Sequence, residues 1–120
     1  MNGFKIMAGA AFIVMLFQSG AAHAEGTGRE FLVQVDSPDR NVSSFFMRVL
    51  SSYGVGMTWA NDDVKVSGGK ALFCIPNKLA ITEEQTADIL RRAIKENAYI
   101  GDLPAGLALL TAYKNTFPCN

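Results

Sequence analysis

The chain has 120 residues, with 11 basic and 11 acidic side chains, two cysteines and a single histidine. Because it has no basic stripe and no block of like charges, the composition argues against a nucleic acid or an acidic membrane surface as partner. The histidine, His23, falls within the N-terminal leader described next. The rest of the chain therefore lacks the imidazole needed for Ser-His-Asp catalysis, for Cys-His catalysis and for most zinc sites.

The first 24 residues have the layout of a secretory signal peptide. Lys5 precedes an apolar run over residues 6–17, and the small-residue triplet 22–24 follows. The run is shorter than the roughly 20 apolar residues that a membrane-spanning helix needs. We therefore predict cleavage after Ala24 and export to the periplasm, with an uncleaved anchor as the alternative. Residues 25–120 then form a single domain with ten basic and eleven acidic side chains, a net charge of −1.

The two cysteines, Cys74 and Cys119, both lie in the predicted exported domain. In an oxidising compartment an even number of cysteines indicates disulfide bonding, and here only one pairing exists. The bond would close a loop of 46 residues (74 to 119 inclusive). A redox-active thiol is the alternative, but it usually comes with close spacing such as C-x-x-C.

The N-terminal half of the domain predicts one clear helix and one ambiguous segment. Residues 29–35 suit a short helix or a strand equally well. Ser37 is the expected N-cap of a second helix, Pro38 its first residue, and apolar residues then recur at spacings of three and four as far as Tyr53. This helix is expected to extend towards Trp59. Its two glycines, Gly54 and Gly56, indicate either close packing by a neighbouring helix or a kink.

The middle of the chain is expected to leave the helix. Residues 61–70 are polar and glycine-bearing, which predicts a loop. Asp62 and Asp63 do not form a metal site in this interpretation, because adjacent carboxylates point apart and hard cations need six or more oxygens. The short apolar segment 71–76 is expected to enter the core beside the disulfide.

Two further helices are predicted in the C-terminal half. Thr82 to Gln85 has the form of a capping box, and the helix that follows carries Ala87, Leu90, Ala93 and Ile94 inward. Residues 97–102 interrupt the helical pattern. A last helix begins near Pro104, presents Leu107, Leu110, Thr111 and Tyr113 or Lys114 at helical spacing, and ends at Phe117. The predicted fold is all-α, a small bundle of about four helices closed by one disulfide.

The exported domain contains little that could catalyse a reaction. A carboxylate pair remains conceivable, but Glu83, Glu84, Asp88 and Glu96 fall on a predicted solvated helix face. No glycine-rich phosphate loop is present. We therefore predict a binding protein that is not an enzyme and that uses no cofactor and no metal.

The break between the last two helices is the best candidate for a binding segment. Aromatic and apolar side chains dominate the energetics of interfaces, and such side chains lie here between polar residues. The alternative is that they simply cap the core. The predicted partner-binding residues are Asn97, Tyr99, Ile100, Gly101 and Asp102.

An ordered set of short motifs resembles the Rap/Tai immunity proteins of type VI secretion. The specific part is a Cys-Ile-Pro motif at 74–76 and a terminal Phe-Pro-Cys motif at 117–119, with a capped helix ending at Asn97 and the segment 103–110 between them. Upstream, Phe31-Leu32 and Asp36-Ser37-Pro38 extend the likeness. The chain departs from the pattern at Asn97-Ala98, where relatives often carry His-Pro.

The resemblance implies a small helical periplasmic protein that binds and silences a cell-wall amidase injected by neighbouring cells. Such amidases resemble papain-type cysteine peptidases, so a loop lodged in the cleft would deny substrate access to the nucleophile. The resemblance also implies a homodimer. A periplasmic chaperone or stress-response binding protein is the alternative from a different functional class.

Overall fold

A computed structural model of the protein describes residues 25–120, and the predicted leader lies outside the described residues. The described chain is helical, with one isolated β-bridge between Thr27 and Pro104 and one disulfide, which confirms the predicted all-α class. Within this part of the chain, no helix combines the length and apolar character needed to span a bilayer. The elements are α1 (Gly28–Val35), α2 (Arg40–Val66), α3 (Glu83–Glu96), a 3₁₀ helix (Ala98–Asp102) and α4 (Ala105–Thr116).

Helix α1 settles the ambiguity over residues 29–35 in favour of a helix. A capping box starts it: the Thr27 hydroxyl accepts from the Glu30 amide, and the Glu30 carboxylate accepts from the Thr27 amide. Phe31, Leu32 and Val35 are buried on its inner face. Two satisfied donors at the N-terminus thus fix a helix over residues that by periodicity alone would suit a helix or a strand equally well.

The residues before α1 lie alongside the start of α4. The Gly28 amide donates to the Leu103 carbonyl at 2.9 Å, and the Ala105 amide donates to the Gly26 carbonyl at 3.0 Å. A carboxylate oxygen of Glu25 accepts from the Gly106 amide at 2.6 Å. Helix α4 has no side-chain cap of its own, so Glu25 supplies the negative charge that a helix N-terminus favours.

Helix α2 begins later than the sequence predicts. Its N-cap is Asp39, whose carboxylate accepts from the amides of Asn41 and Val42. The prediction of Ser37 as cap and Pro38 as first helical residue was therefore wrong. Ser37 instead accepts from the Asp39 amide through its hydroxyl, so it shapes the connection between α1 and α2.

Helix α2 also ends later than predicted, because residues 61–66 continue the helix and only the part from Ser67 onward is a loop. The helix ends at Val66, Ser67 is its C-cap, and the next residue, Gly68, has a φ of 83°, the left-handed conformation that glycine tolerates best. The Gly68 amide donates to the Lys65 carbonyl and the Gly69 amide donates to the Val64 carbonyl, which together form a Schellman motif.

The buried Asn61 explains why the polar stretch is helical. Its side-chain amide donates to the Phe73 carbonyl at 2.9 Å, and its side-chain oxygen accepts from the Leu72 amide at 2.7 Å. Asn61 is 3% exposed and follows Leu50 and Gly54 on the inner face of α2. The asparagine thus binds a segment without regular structure, whose backbone groups would otherwise be buried without partners.

Helices α3 and α4 pack against α2 with Phe73 and Tyr113 between them. The predicted capping box of α3 is present, and Ala87, Leu90 and Ala93 are buried as expected. The predicted face of α4 is displaced: Leu107 is 49% exposed, while the buried positions are mostly alanines. Small side chains let the helices approach closely, so alanine carries the contact that the sequence pattern assigned to leucine. The buried α4 residues are Ala105, Ala108, Leu109, Ala112 and Tyr113.

The predicted disulfide between Cys74 and Cys119 is present, with 5.0 Å between the Cα atoms. Beside it, the Cys74 amide donates to the Phe117 carbonyl at 2.8 Å. These two connections attach the chain's last residues to the segment that carries Phe73.

Replacing Cys119 with serine should destabilise the oxidised protein. The bond closes a loop with a sequence separation of 45, for which chain entropy predicts a loss of roughly 4 kcal/mol and a fall in melting temperature of roughly 15 °C or more. Thermal unfolding followed by circular dichroism measures this. Wild-type protein in reducing agent is the control and should match the variant, whereas equal melting temperatures for the oxidised wild type and the variant would contradict the prediction.

Replacing Asn61 with alanine should lower the free energy of unfolding by roughly 1–3 kcal/mol, because the buried Phe73 carbonyl and the partly buried Leu72 amide lose their partner. Urea unfolding measures the loss. The control is Asp62→Ala, which removes an exposed neighbour with one surface ion pair to Lys65 and should change stability by no more than about 0.5 kcal/mol. A similar effect for both variants would show that the Asn61 bonds add little to stability.

Candidate functional site

The predicted binding segment forms the 3₁₀ helix between α3 and α4. Asn97 starts it, because its side-chain oxygen accepts from the Tyr99 amide at 3.1 Å. The Ile100 amide donates to the Asn97 carbonyl, and the Leu103 amide donates to the Ile100 carbonyl. The segment is therefore a short, internally bonded turn and not an extended loop.

The structure separates the five predicted binding residues into exposed and buried groups. Tyr99 is 66% exposed, and Asn97 and Asp102 are also on the surface. Ile100 is only 3% exposed and Gly101 is buried. The alternative, that these residues cap the core, thus applies to Ile100, whose buried side chain anchors the turn. Tyr99 instead projects outward from the turn.

Arg29, which sequence reasoning did not select, attaches this turn to α1. Its guanidinium pairs with the carboxylate of Asp102 and also donates to the Ala98 carbonyl at 2.8 Å. The two contacts hold both ends of the 3₁₀ helix from one side chain. Arg29 and Asp102 are 73 residues apart, so no local pattern could have revealed the pair.

Gly101 allows the guanidinium to lie against the turn. A Cβ atom at this position would be 2.7 Å from Nη2 of Arg29 and 3.2 Å from a methyl carbon of Ile94. Any larger residue would therefore displace Arg29 and press on α3. The close contact accounts for a glycine at a position where no positive φ requires one.

We define the Tyr99 surface as Arg29, Val33, Tyr99 and Asp102. Val33 is 63% exposed and lies one turn beyond Arg29 on the same face of α1. The surface combines an outward aromatic ring, an exposed aliphatic side chain and an ion pair. Such a mixture is suited to contact with another protein, since aromatic and arginine side chains are enriched where interfaces are strongest.

A groove of about 340 Å³ lies elsewhere, between α2, α3 and the segment that follows Cys74. Tyr113 lies at its inner end beside Gly54, where a Cβ atom would be 2.6 Å from the tyrosine hydroxyl. Burial raises the pKa of Tyr113, and hydrogen bonding with Thr86 offsets part of that rise. The Tyr113 phenol is therefore neutral at physiological pH, and Asp62 and Lys65 of α2 are the charged side chains that line the groove.

Among residues 25–120 no three histidine, cysteine, aspartate or glutamate side chains are grouped as metal ligands would be. Comparison of the chain with family models, with curated proteins and with solved structures finds no match. The likeness to immunity proteins therefore stays a prediction from the motifs, and the Tyr99 surface is the candidate site on structural grounds.

Replacing Arg29 with alanine should loosen the 3₁₀ helix and leave the rest of the domain unchanged. An exposed ion pair with one added hydrogen bond contributes roughly 0.5–1 kcal/mol, so amide exchange over residues 98–103 should accelerate about two- to five-fold. Hydrogen exchange followed by mass spectrometry measures this. Arg92→Ala, which removes an exposed arginine of α3, is the control, and equal exchange in both variants would show that Arg29 does not hold the turn.

Proposed function

We propose that the protein is a periplasmic immunity protein that binds and inhibits a peptidoglycan amidase delivered by type VI secretion. The observation that carries the proposal is the Tyr99 surface, where an exposed aromatic side chain projects from a short turn anchored by Ile100 and Arg29. The motif set from Cys74 to Cys119 supplies the family expectation.

Anchoring matters because inhibitory loops bind best when they are already in the bound conformation. Ordering a flexible segment on binding costs affinity, and a preformed turn avoids most of that cost. Here the Asn97 cap, the buried Ile100 and the two Arg29 contacts already order the turn. A Tyr99 ring presented in this way is suited to filling a pocket on a partner.

Inhibition would be steric. The proposed target resembles a papain-type peptidase, whose nucleophile lies in a cleft. If Tyr99 and the turn occupy that cleft, peptidoglycan cannot reach the nucleophile. Steric inhibition of this kind requires neither a catalytic group nor a cofactor in the inhibitor.

The disulfide supports the proposed compartment, because such bonds form and persist in oxidising compartments such as the periplasm. The proposed partners are the amidase and a second copy of the chain, the latter implied by the resemblance. Export itself depends on residues 1–24, which lie outside the described structure.

A chaperone remains the second candidate, because α2 exposes several large apolar side chains. Phe45 is 62% exposed, Trp59 72% and Val66 88%. Surfaces of this kind can hold unfolded clients. A chaperone would recover many unrelated proteins from periplasmic extract, whereas an immunity protein would recover one amidase in stoichiometric amount, so affinity capture with mass spectrometry separates the two functions.

Replacing Tyr99 with alanine should weaken inhibition of the cognate amidase by roughly 30-fold or more, the loss expected for a central aromatic anchor. The melting temperature should stay close to that of wild type, because the side chain is mostly exposed. Tyr99 is a cleaner probe than Asp102, whose loss would also release Arg29. Inhibition is measured as the concentration that halves peptidoglycan cleavage.

The matched control is Leu79→Ala, which shortens an exposed apolar side chain outside the Tyr99 surface. This variant should inhibit as well as wild type. Full inhibition by the Tyr99 variant would remove the turn from the interface, and the proposed steric mechanism would fail.

A further inference from the structure

The outward face of α2 carries a regular row of exposed residues. Seven positions alternate at spacings of three and four, and all seven are exposed. This is the heptad spacing by which two helices pack along a common seam. We call this row the outer seam; its members are Phe45, Arg48, Ser52, Val55, Trp59, Asp62 and Val66.

Four members of the outer seam are apolar and remain in contact with solvent. Trp59 and Val66 are 72% and 88% exposed, and Phe45 and Val55 are 62% and 47% exposed. Val55 and Trp59 are neighbours at the middle of the seam, and Phe45 and Val66 lie at its two ends. Single exposed apolar residues are normal, but four of them along one face, with polar residues between, are typical of a contact surface.

Gly56 lies beside the middle of the outer seam, and no contact among residues 25–120 requires a glycine there. A Cβ atom at Gly56 would meet none of these residues within 4 Å, whereas one at Gly54 would collide with Tyr113. An exposed glycine inside a helix costs about 1 kcal/mol relative to alanine. What it provides is a gap in the side-chain layer through which a second helix can approach.

In one orientation, the charges on this face of α2 are complementary to the charges on the same face of a second copy. Suppose that a second α2 runs antiparallel and that the two-fold axis passes between Val55 and Gly56. The residue numbers of any two facing positions then add up to 111. Phe45 then lies opposite Val66 and Arg48 opposite Asp63. Arg48 and Asp63 are both exposed, and neither forms an ion pair within residues 25–120.

A parallel pairing would be unfavourable by the same reasoning. It would place Arg48 of one copy opposite Arg48 of the other, and Asp62 of one copy opposite Asp62 of the other. Like charges facing each other are destabilising and select against that orientation. The antiparallel arrangement also satisfies two-fold symmetry, in which a contact from one copy to the other is repeated in reverse.

We propose that a second copy of this chain docks along the outer seam, antiparallel, with the two helices crossing at Gly56 and with reciprocal Arg48–Asp63 ion pairs. This inference deepens the homodimer of the proposed function by naming its surface, orientation and register. The docked second copy would also cover Val55 and Trp59, which line the 340 Å³ groove.

Sedimentation equilibrium of protein produced from the full chain tests the surface. Wild type should show a concentration-dependent dimer. Arg48→Asp should raise the dimer dissociation constant at least ten-fold, and the swap Arg48→Asp with Asp63→Arg should restore most of the affinity. Gly56→Leu, which meets open space in a single copy, should also weaken the dimer while leaving the circular dichroism spectrum unchanged.

Cysteine cross-linking tests orientation and register. Val55→Cys should form a disulfide-linked dimer under mild oxidation, because position 55 lies next to the two-fold axis. Val66→Cys is the matched control and should not link to itself, since its copies would lie far apart at opposite ends of the seam. A parallel pair would link equally at both positions.

A wild-type monomer at all concentrations, a dimer unaffected by Arg48→Asp, or linking at position 66 would each overturn the proposal. None of these assays contains an amidase. Failure of amidase inhibition with an intact dimer would therefore refute the proposed function alone, and inhibition by a monomer would refute only the docking surface.

Discussion

The attachment of residues 73–75 to the end of α4 is the constraint on which the rest of the fold depends. This segment has no regular secondary structure, yet it brings Phe73 to the centre of the core. The Cys74–Cys119 disulfide holds it from one side and Asn61 binds its backbone from the other. A domain of about 100 residues has a small core, so the disulfide and the buried side-chain amide of Asn61 contribute much of what holds this segment in place. The segment in turn fixes the end of α4 and the C-terminal half of α2.

Two glycines two residues apart in α2 illustrate how one helix faces both inward and outward. Successive residues are about 100° apart, so Gly54 and Gly56 point about 200° apart around the helix. Gly54 faces the core and admits the Tyr113 hydroxyl, while Gly56 faces solvent. The Tyr99 surface involves other elements, α1 and the 3₁₀ helix. An amidase contact and a contact between copies can thus use different elements of the same small domain.

The parts of the fold that were predictable are those whose signal is local or unique. The α3 capping box lies within four consecutive residues, and two cysteines allow one pairing. The end of α2 was missed because Asn61 and its two aspartate neighbours are typical of loops, although Asn61 continues the inward spacing from Leu50. The inner face of α4 was predicted only at Tyr113, because alanines make most of the remaining contact. Arg29 could not be selected at all, since its partners lie about 70 residues away.

The position of Glu25 bears on the order of events during export. Residues 25–28 are hydrogen-bonded to the start of α4, and the Glu25 carboxylate caps that helix. If the leader is cut after Ala24, the scissile bond adjoins the folded domain with no spacer between them. A peptidase needs an extended strand on both sides of the bond it cuts, which the docked residues 25–28 cannot offer. Removal of the leader must then precede docking of residues 25–28 against α4.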